Sequence, residues 1–145
     1  MTATPQSYAN HRRVFPLYHL FALPVLIAHV AITLVGALRE PTLWALWMVV
    51  VAVGLVAAVV ANRASTLIVQ NRVIGLEMRL RLATVLPVEL CQRIPELHLK
   101  QLIGLRYAGD AELTGLVERC LRGELATADA VKRAVRQWRP DYVRA

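Results

Sequence analysis

From Val14 to Leu38 the chain runs for 25 residues without Asp, Glu, Lys or Arg, and from Thr42 to Ala61 for 20 more. At about 1.5 Å per residue, either run as a helix crosses a hydrocarbon core of roughly 30 Å. Only Arg39, Glu40 and Pro41 separate them. So short a link turns the second helix back beside the first. The expectation is an antiparallel transmembrane hairpin over 14–61, with spans at about 14–38 and 42–61.

The rest of the chain differs in kind. Hydrophobic residues make up 57% of the 145, and that excess sits almost wholly in the first 61. What remains is room for one small soluble domain. The residues up to 13 read as a short polar arm, flexible and with Pro5 opposing an early helix. Residues 62–86 read as a juxtamembrane helix that extends the second span. Residues 87–145 read as a small helical domain. The predicted fold class is all-α, with no β-alternation of useful length.

Charge sets the expected orientation. Arg12 and Arg13 precede the first run, and 14 Lys and Arg against 9 acids follow Ala61. The turn carries one Arg and one Glu. Cationic segments stay on the cytoplasmic side, so both termini are expected in the cytoplasm. Arg12, Arg13 and Arg63 are then candidates for lipid phosphate, and Trp44 and Trp47 for the outer interface. A pI near 10.3 is explained by an anionic lipid surface, so no nucleic-acid partner is expected. HRRVF, from His11 to Phe15, has the look of a twin-arginine export signal. The run after it is too long, and a second span follows at once, so it reads as a retained anchor.

Inside the spans few side chains carry chemistry. His19 and His29 are the only ionisable groups of the first run, and His29 lies about midway. A histidine at that depth needs a partner. The commoner one is a hydrogen bond to a neighbouring helix; the alternative is axial ligation of haem or a chlorin. No cofactor is otherwise expected. Pro24 predicts a kink. Gly54 with Ala58, and Ala57 with Ala61, are small residues at four-residue spacing, which lets helices approach closely.

Beyond Ala61, Val69, Val73, Leu76, Leu80 and Ala83 recur at alternating spacings of four and three. This is a coiled-coil stripe of about two heptads. It serves either as an interaction stalk or as the face packed on the chain's own C-terminal domain. Glu77 stands four before Arg81, the favourable order for a helix ion pair. Short helices are then expected at Pro87 to Ile94, PELHLKQLIGLRY, AELTGLVERCLR (capped by Asp110, ended by Gly123) and ADAVKRAVRQW (capped by Thr127). Their expected core residues are Leu97, Leu102, Leu105, Leu113, Leu116, Val117, Leu121, Val131, Val135 and Trp138. Lys132, Arg133, Arg136 and Arg139 form a basic cluster on the last one.

The block QNRVIGLEMRLRL (Gln70 to Leu82), with LRYAGDAEL (Leu105 to Leu113), resembles an uncharacterised bacterial family of small double-spanning membrane proteins. HRR and PLYH near the N-terminus fit the same pattern. The chain departs from it at Asn71, Gly75 and Gly109, where Asp, Arg and Ser are usual. The resemblance implies the double-spanning architecture and carries no activity with it; the expected location is the bacterial inner membrane.

No phosphate loop, nucleophile elbow or His–Glu–x–x–His occurs. Cys91 and Cys120 match no metal or redox spacing. Cys91 and His98 read as unrelated side chains. The expectation is a non-enzyme, an accessory subunit of a larger integral-membrane complex that contacts other integral membrane proteins. An energy-transducing host, photosynthetic or respiratory, is favoured on His29 alone. The alternative is a membrane-tethered adaptor or regulator that forms a homo-oligomer. Gly54, Ala58, Val69, Val73, Leu76 and Leu80 are the expected interface.

Overall fold

A computed structural model of the chain describes residues 6–10 and 14–141. Their regular elements are all helical, and one isolated antiparallel bridge joins Ala108 to Trp138. They fall into two compact units, 14–67 and 6–10 with 68–141.

In the first unit a π-helical turn, Leu17–Ala22, leads directly into α1, Leu23–Arg39. This wide turn is how the chain meets Pro24. The proline ring would collide with the carbonyl four residues back, and it offers no N–H to it. Leu23 instead donates to the Tyr18 carbonyl, five residues back, and the helix widens just before the proline. After a three-residue link, α2 runs unbroken from Leu43 to Val85, and Thr42 Oγ1 accepts the Ala45 N–H at 3.1 Å. Arg63 lies over the Tyr18 ring, 5.9 Å from its centre, so α2 returns antiparallel to α1. Ala37 and Ala52 are buried here, flanked by half-buried Leu26, Val30 and Thr33 on α1 and Val49, Val56 and Val59 on α2. Leu17–Arg39, the π-turn and α1 together, and α2 are each long and apolar enough to cross a membrane, yet only 6% of the apolar stretch of each is buried.

The second unit takes the remainder of α2. Ile74, Met78, Leu82 and Leu86 share a core with Ile94, Leu97, Leu102, Leu105, Leu113, Leu116, Val117 and Val131. After α2 come α3 (Val88–Cys91), a 3₁₀ turn (Ile94–Glu96), α4 (Leu99–Leu105), α5 (Asp110–Leu121) and α6 (Ala128–Ala134). The helix expected from Pro95 to Tyr107 is therefore broken. His98 is the N-cap of α4, its N–H donating to Gln101 Oε1 at 2.8 Å. For α5 the N-cap is Gly109, one residue before the expected Asp110. Gly123 ends it with φ +81°, the left-handed geometry of a Schellman stop, and Glu124 N–H reaches the Arg119 carbonyl at 3.1 Å.

Thr127 caps α6 as expected, accepting from Ala130 N–H at 3.1 Å. The helix stops at Ala134, four residues before the expected Trp138. Competing bonds pull the chain away: Gly109 N–H to the Gln137 carbonyl at 2.8 Å, and Arg139 N–H to the Tyr107 carbonyl at 2.7 Å. Glu112 adds two more by accepting the N–H groups of Arg136 and Gln137. Residues 6–10 join this unit, with Tyr8 donating to Asp129 at 2.7 Å and Asp141 N–H to Gln6 Oε1 at 2.8 Å.

Candidate interaction surfaces

Within the second unit α2 presents two apolar stripes. Ile74, Met78 and Leu82 face the domain's own core. Val69, Val73, Leu76 and Leu80 remain 61%, 49%, 60% and 63% exposed, and Ala83 is exposed with them. At about 100° per residue the stripes stand roughly 180° apart, on opposite sides of one helix. The coiled-coil stripe is thus not the face that α2 packs on its own domain. Arg72, Glu77 and Arg79 flank it, all exposed, and none makes an ion pair among the described residues.

The two sequence blocks that carry the family resemblance meet through Arg81. Its Nε and a terminal nitrogen donate to Asp110 Oδ1 at 2.9 and 2.5 Å, and that nitrogen also reaches the Ala108 carbonyl at 2.7 Å. The hydrogen bond and charge of Arg81 hold the Asp110 carboxyl below its usual range. The expected Glu77–Arg81 pair does not form, because Arg81 is taken by this long-range bond. Nearby, buried Arg106 faces Asp141 at 3.3 Å and donates to the Tyr107 hydroxyl. An open cleft of about 360 Å³ lies here, lined by Glu77, Arg81, Arg106, Arg139 and Asp141 among others. Its cations and acids nearly balance, so it offers no strong pull on an anion.

The remaining predicted residues are dispersed. His29 is half-buried on α1. Its carbonyl accepts the Thr33 hydroxyl at 3.0 Å, while its ring has no hydrogen bond among the described residues. His19 Nδ1 sits 3.2 Å from the Phe15 nitrogen, closing the start of the first helical turn. Gly54 and Ala58 are exposed, and a Cβ built on Gly54 meets nothing within 4 Å. They point away from α1, whose contact uses Ala52 instead. Trp44 and Trp47 are exposed near the start of α2. Arg12 and Arg13 lie outside the described residues.

The basic cluster does not share one helix. Lys132 and Arg133 are on α6, where Arg133 pairs with Asp129 at 3.0 Å; Arg136 and Arg139 lie beyond it. Both cysteines are free, Cys120 buried and Cys91 half-buried, with the Cys91 thiol reaching the Leu86 carbonyl at 3.3 Å. Among the described residues, no three His, Cys, Asp or Glu groups gather where they could hold a metal ion.

Sequence reasoning missed Gln101, Gly104 and Glu112, which position the helices of the second unit. Glu112 and Gln101 left a signal: a Glu or Gln at the third position of a helix, where its side-chain oxygen reaches back to the N-cap N–H. Residues 1–145 match a family described as "Family of unknown function (DUF6526)". No curated protein and no solved structure matches the chain.

Proposed function

The chain belongs to that family over its whole length, and we propose that it is a membrane-anchored, non-catalytic accessory subunit of a larger integral-membrane complex. One observation carries the reading: two adjoining helices whose apolar windows are each only 6% buried. A core helix of a water-soluble protein is mostly covered. Each large aliphatic or aromatic side chain left in water forgoes about 1.5–3 kcal/mol. Lipid supplies the missing cover, and an antiparallel pair satisfies its own backbone there. A cleaved signal would account for the first helix only.

In this reading the hairpin lies in the bacterial inner membrane, with the Arg39–Thr42 turn outside and the second unit in the cytoplasm. Arg63, stacked on Tyr18, marks the inner boundary and meets anionic headgroups. The exposed Gly54 and Ala58 offer a close-packing face to another membrane helix. An energy-transducing host accounts for a mid-span histidine, since His29 would supply a ring nitrogen to a partner subunit or its pigment.

The test is extraction of the native membrane in mild detergent followed by capture on a C-terminal tag. The reading expects retention through carbonate washing and fixed co-eluting membrane proteins. A coloured assembly that loses its chromophore in His29→Leu supports the energy-transducing host. Release by carbonate, or elution without other membrane proteins, overturns the accessory-subunit reading.

A further inference from the structure

We propose that the protein pairs with a second copy of itself through the exposed stripe of α2, the two helices running parallel and in register. The inference deepens the accessory-subunit reading by naming the occupant of this face, and it takes the membrane anchorage from that reading. Two observations carry it, together with the proposed setting.

The first is register. Val69, Val73, Leu76, Leu80 and Ala83 occupy the two core positions of successive heptads, with the domain's own core on the far side of the helix. A knobs-into-holes seam needs apolar residues at these core positions, and here they are bare.

The second is charge. In this register Arg72 and Arg79 fall on one flank of the seam and Glu77 on the other. In a parallel pair, a residue on the first flank meets the partner's residue five positions later on the second flank. Arg72 then meets Glu77 of the other copy, twice by symmetry. An antiparallel pair would instead bring Arg72 towards Arg79, like charge on like. Among the described residues Arg72, Glu77 and Arg79 have no ion pair of their own, so these charges are available.

The proposed setting adds to these. Two heptads alone hold helices together only weakly. Copies anchored by hairpins of one orientation present α2 in the same direction and at raised effective concentration. Anchoring thus supplies the parallel alignment that the charges independently select. The stripe lies past Asn62 and Arg63, outside the uncharged run, so water is its default neighbour and lipid does not cover it.

The experiment uses the full chain in its membrane, in a Cys91→Ser/Cys120→Ser background. Parallel in-register helices place the two copies of residue 73 opposite each other. Val73→Cys is expected to give a disulfide dimer on mild oxidation, and Lys100→Cys, exposed on α4, is expected to give none. Size is then measured in mild detergent. Arg72→Glu and Glu77→Arg are each expected to raise the dimer dissociation constant about tenfold, since two pairs turn from attraction to repulsion. The double swap should return it to within about twofold, because only the pairing between copies is restored. Circular dichroism of each variant checks that the helices persist.

Carbonate extraction separates the two readings. A membrane-retained chain that is monomeric, or whose double swap fails to restore the dimer, overturns this inference and leaves the anchor intact. A chain released by carbonate that still cross-links at position 73 overturns the anchor and supports the pairing.

Discussion

Gln101 is a polar residue with nine-tenths and more of its surface removed from water, and every part of its amide is occupied. Its Oε1 accepts the His98 N–H, and its Nε2 donates to the carbonyls of Cys120 and Leu125 at 3.2 and 3.0 Å. One side chain thereby starts α4 and ties it to the end of α5. Gln101→Leu keeps the volume but strands a donor and two acceptors. It is expected to cost about 1–3 kcal/mol in a urea melt, while Gln101→Glu strands the same carbonyls and adds a buried charge. Cys120 gives a pH-dependent prediction. Burial raises its thiol from 9.0 to about 11. An unfolded chain releases that proton near 9, whereas the folded one holds it until about 11. Raising the pH through this window therefore favours unfolding, and below 9 the thiol contributes no slope. The gap in urea midpoint between wild type and Cys120→Ala should change between pH 9 and 11 and stay flat from 6 to 8. A gap that is constant throughout would contradict the burial. Spacing marks Cys120 in part, since it stands seven residues after Leu113 and three after Val117 on the expected core face of α5, whereas nothing local marks Gln101 for burial.

Between elements, α4 and α6 approach closely at Gly104. A Cβ built on Gly104 would stand 2.6 Å from Val131 Cβ and 3.0 Å from the Ala128 carbonyl oxygen. These are backbone and branch-point atoms, so the helices themselves would have to part. Gly104→Ala is expected to destabilise by about 1–3 kcal/mol despite its better helix propensity, read as a lower thermal midpoint. Unchanged stability would mean the helices are not so close. Gly75 differs: its built Cβ meets two side-chain ends, Leu99 Cδ1 at 2.6 Å and a terminal nitrogen of Arg79 at 3.7 Å. Such ends can swing aside, so a side chain at 75 is tolerable. The contrast also explains what periodicity could and could not reveal. Leu97, Leu102 and Leu105 were legible as core by spacing, and Gly123 and Thr127 as boundaries by chemistry. On α2, however, 69/73/76/80 and 74/78/82 are both apolar at helical spacing. Nothing local says which one the domain will cover. Arg81 looked paired with Glu77 four residues away, and only the fold brings Asp110 within 2.5 Å of it.

For the whole molecule, the uncharged runs were the most legible feature, because 20 or more residues without a formal charge leave few alternatives to a long apolar helix. The expected orientation rests on charge alone, and it yields a prediction that structure does not enter. With 14 cations after Ala61 against one in the turn, translocating the second unit would carry a large positive excess outward, against the bias that fixes topology. Moving the turn across, by contrast, would carry a single cation, Arg39. A single cysteine in a Cys91→Ser/Cys120→Ser background reads the result. Glu40→Cys should react with a membrane-impermeant maleimide on intact spheroplasts, and Lys100→Cys only after they are opened. Both positions are exposed, so a failure to label reports the barrier and not burial. Labelling in the reverse order would invert the hairpin and put the α2 stripe outside; labelling of both on intact cells would show that no bilayer separates the turn from the second unit. Adding three lysines to the turn beside Arg39 provides the physical control. If charge sets the topology, that insertion should shift part of the population towards the inverted pattern, whereas an orientation fixed by packing alone would leave the two cysteines labelled as before.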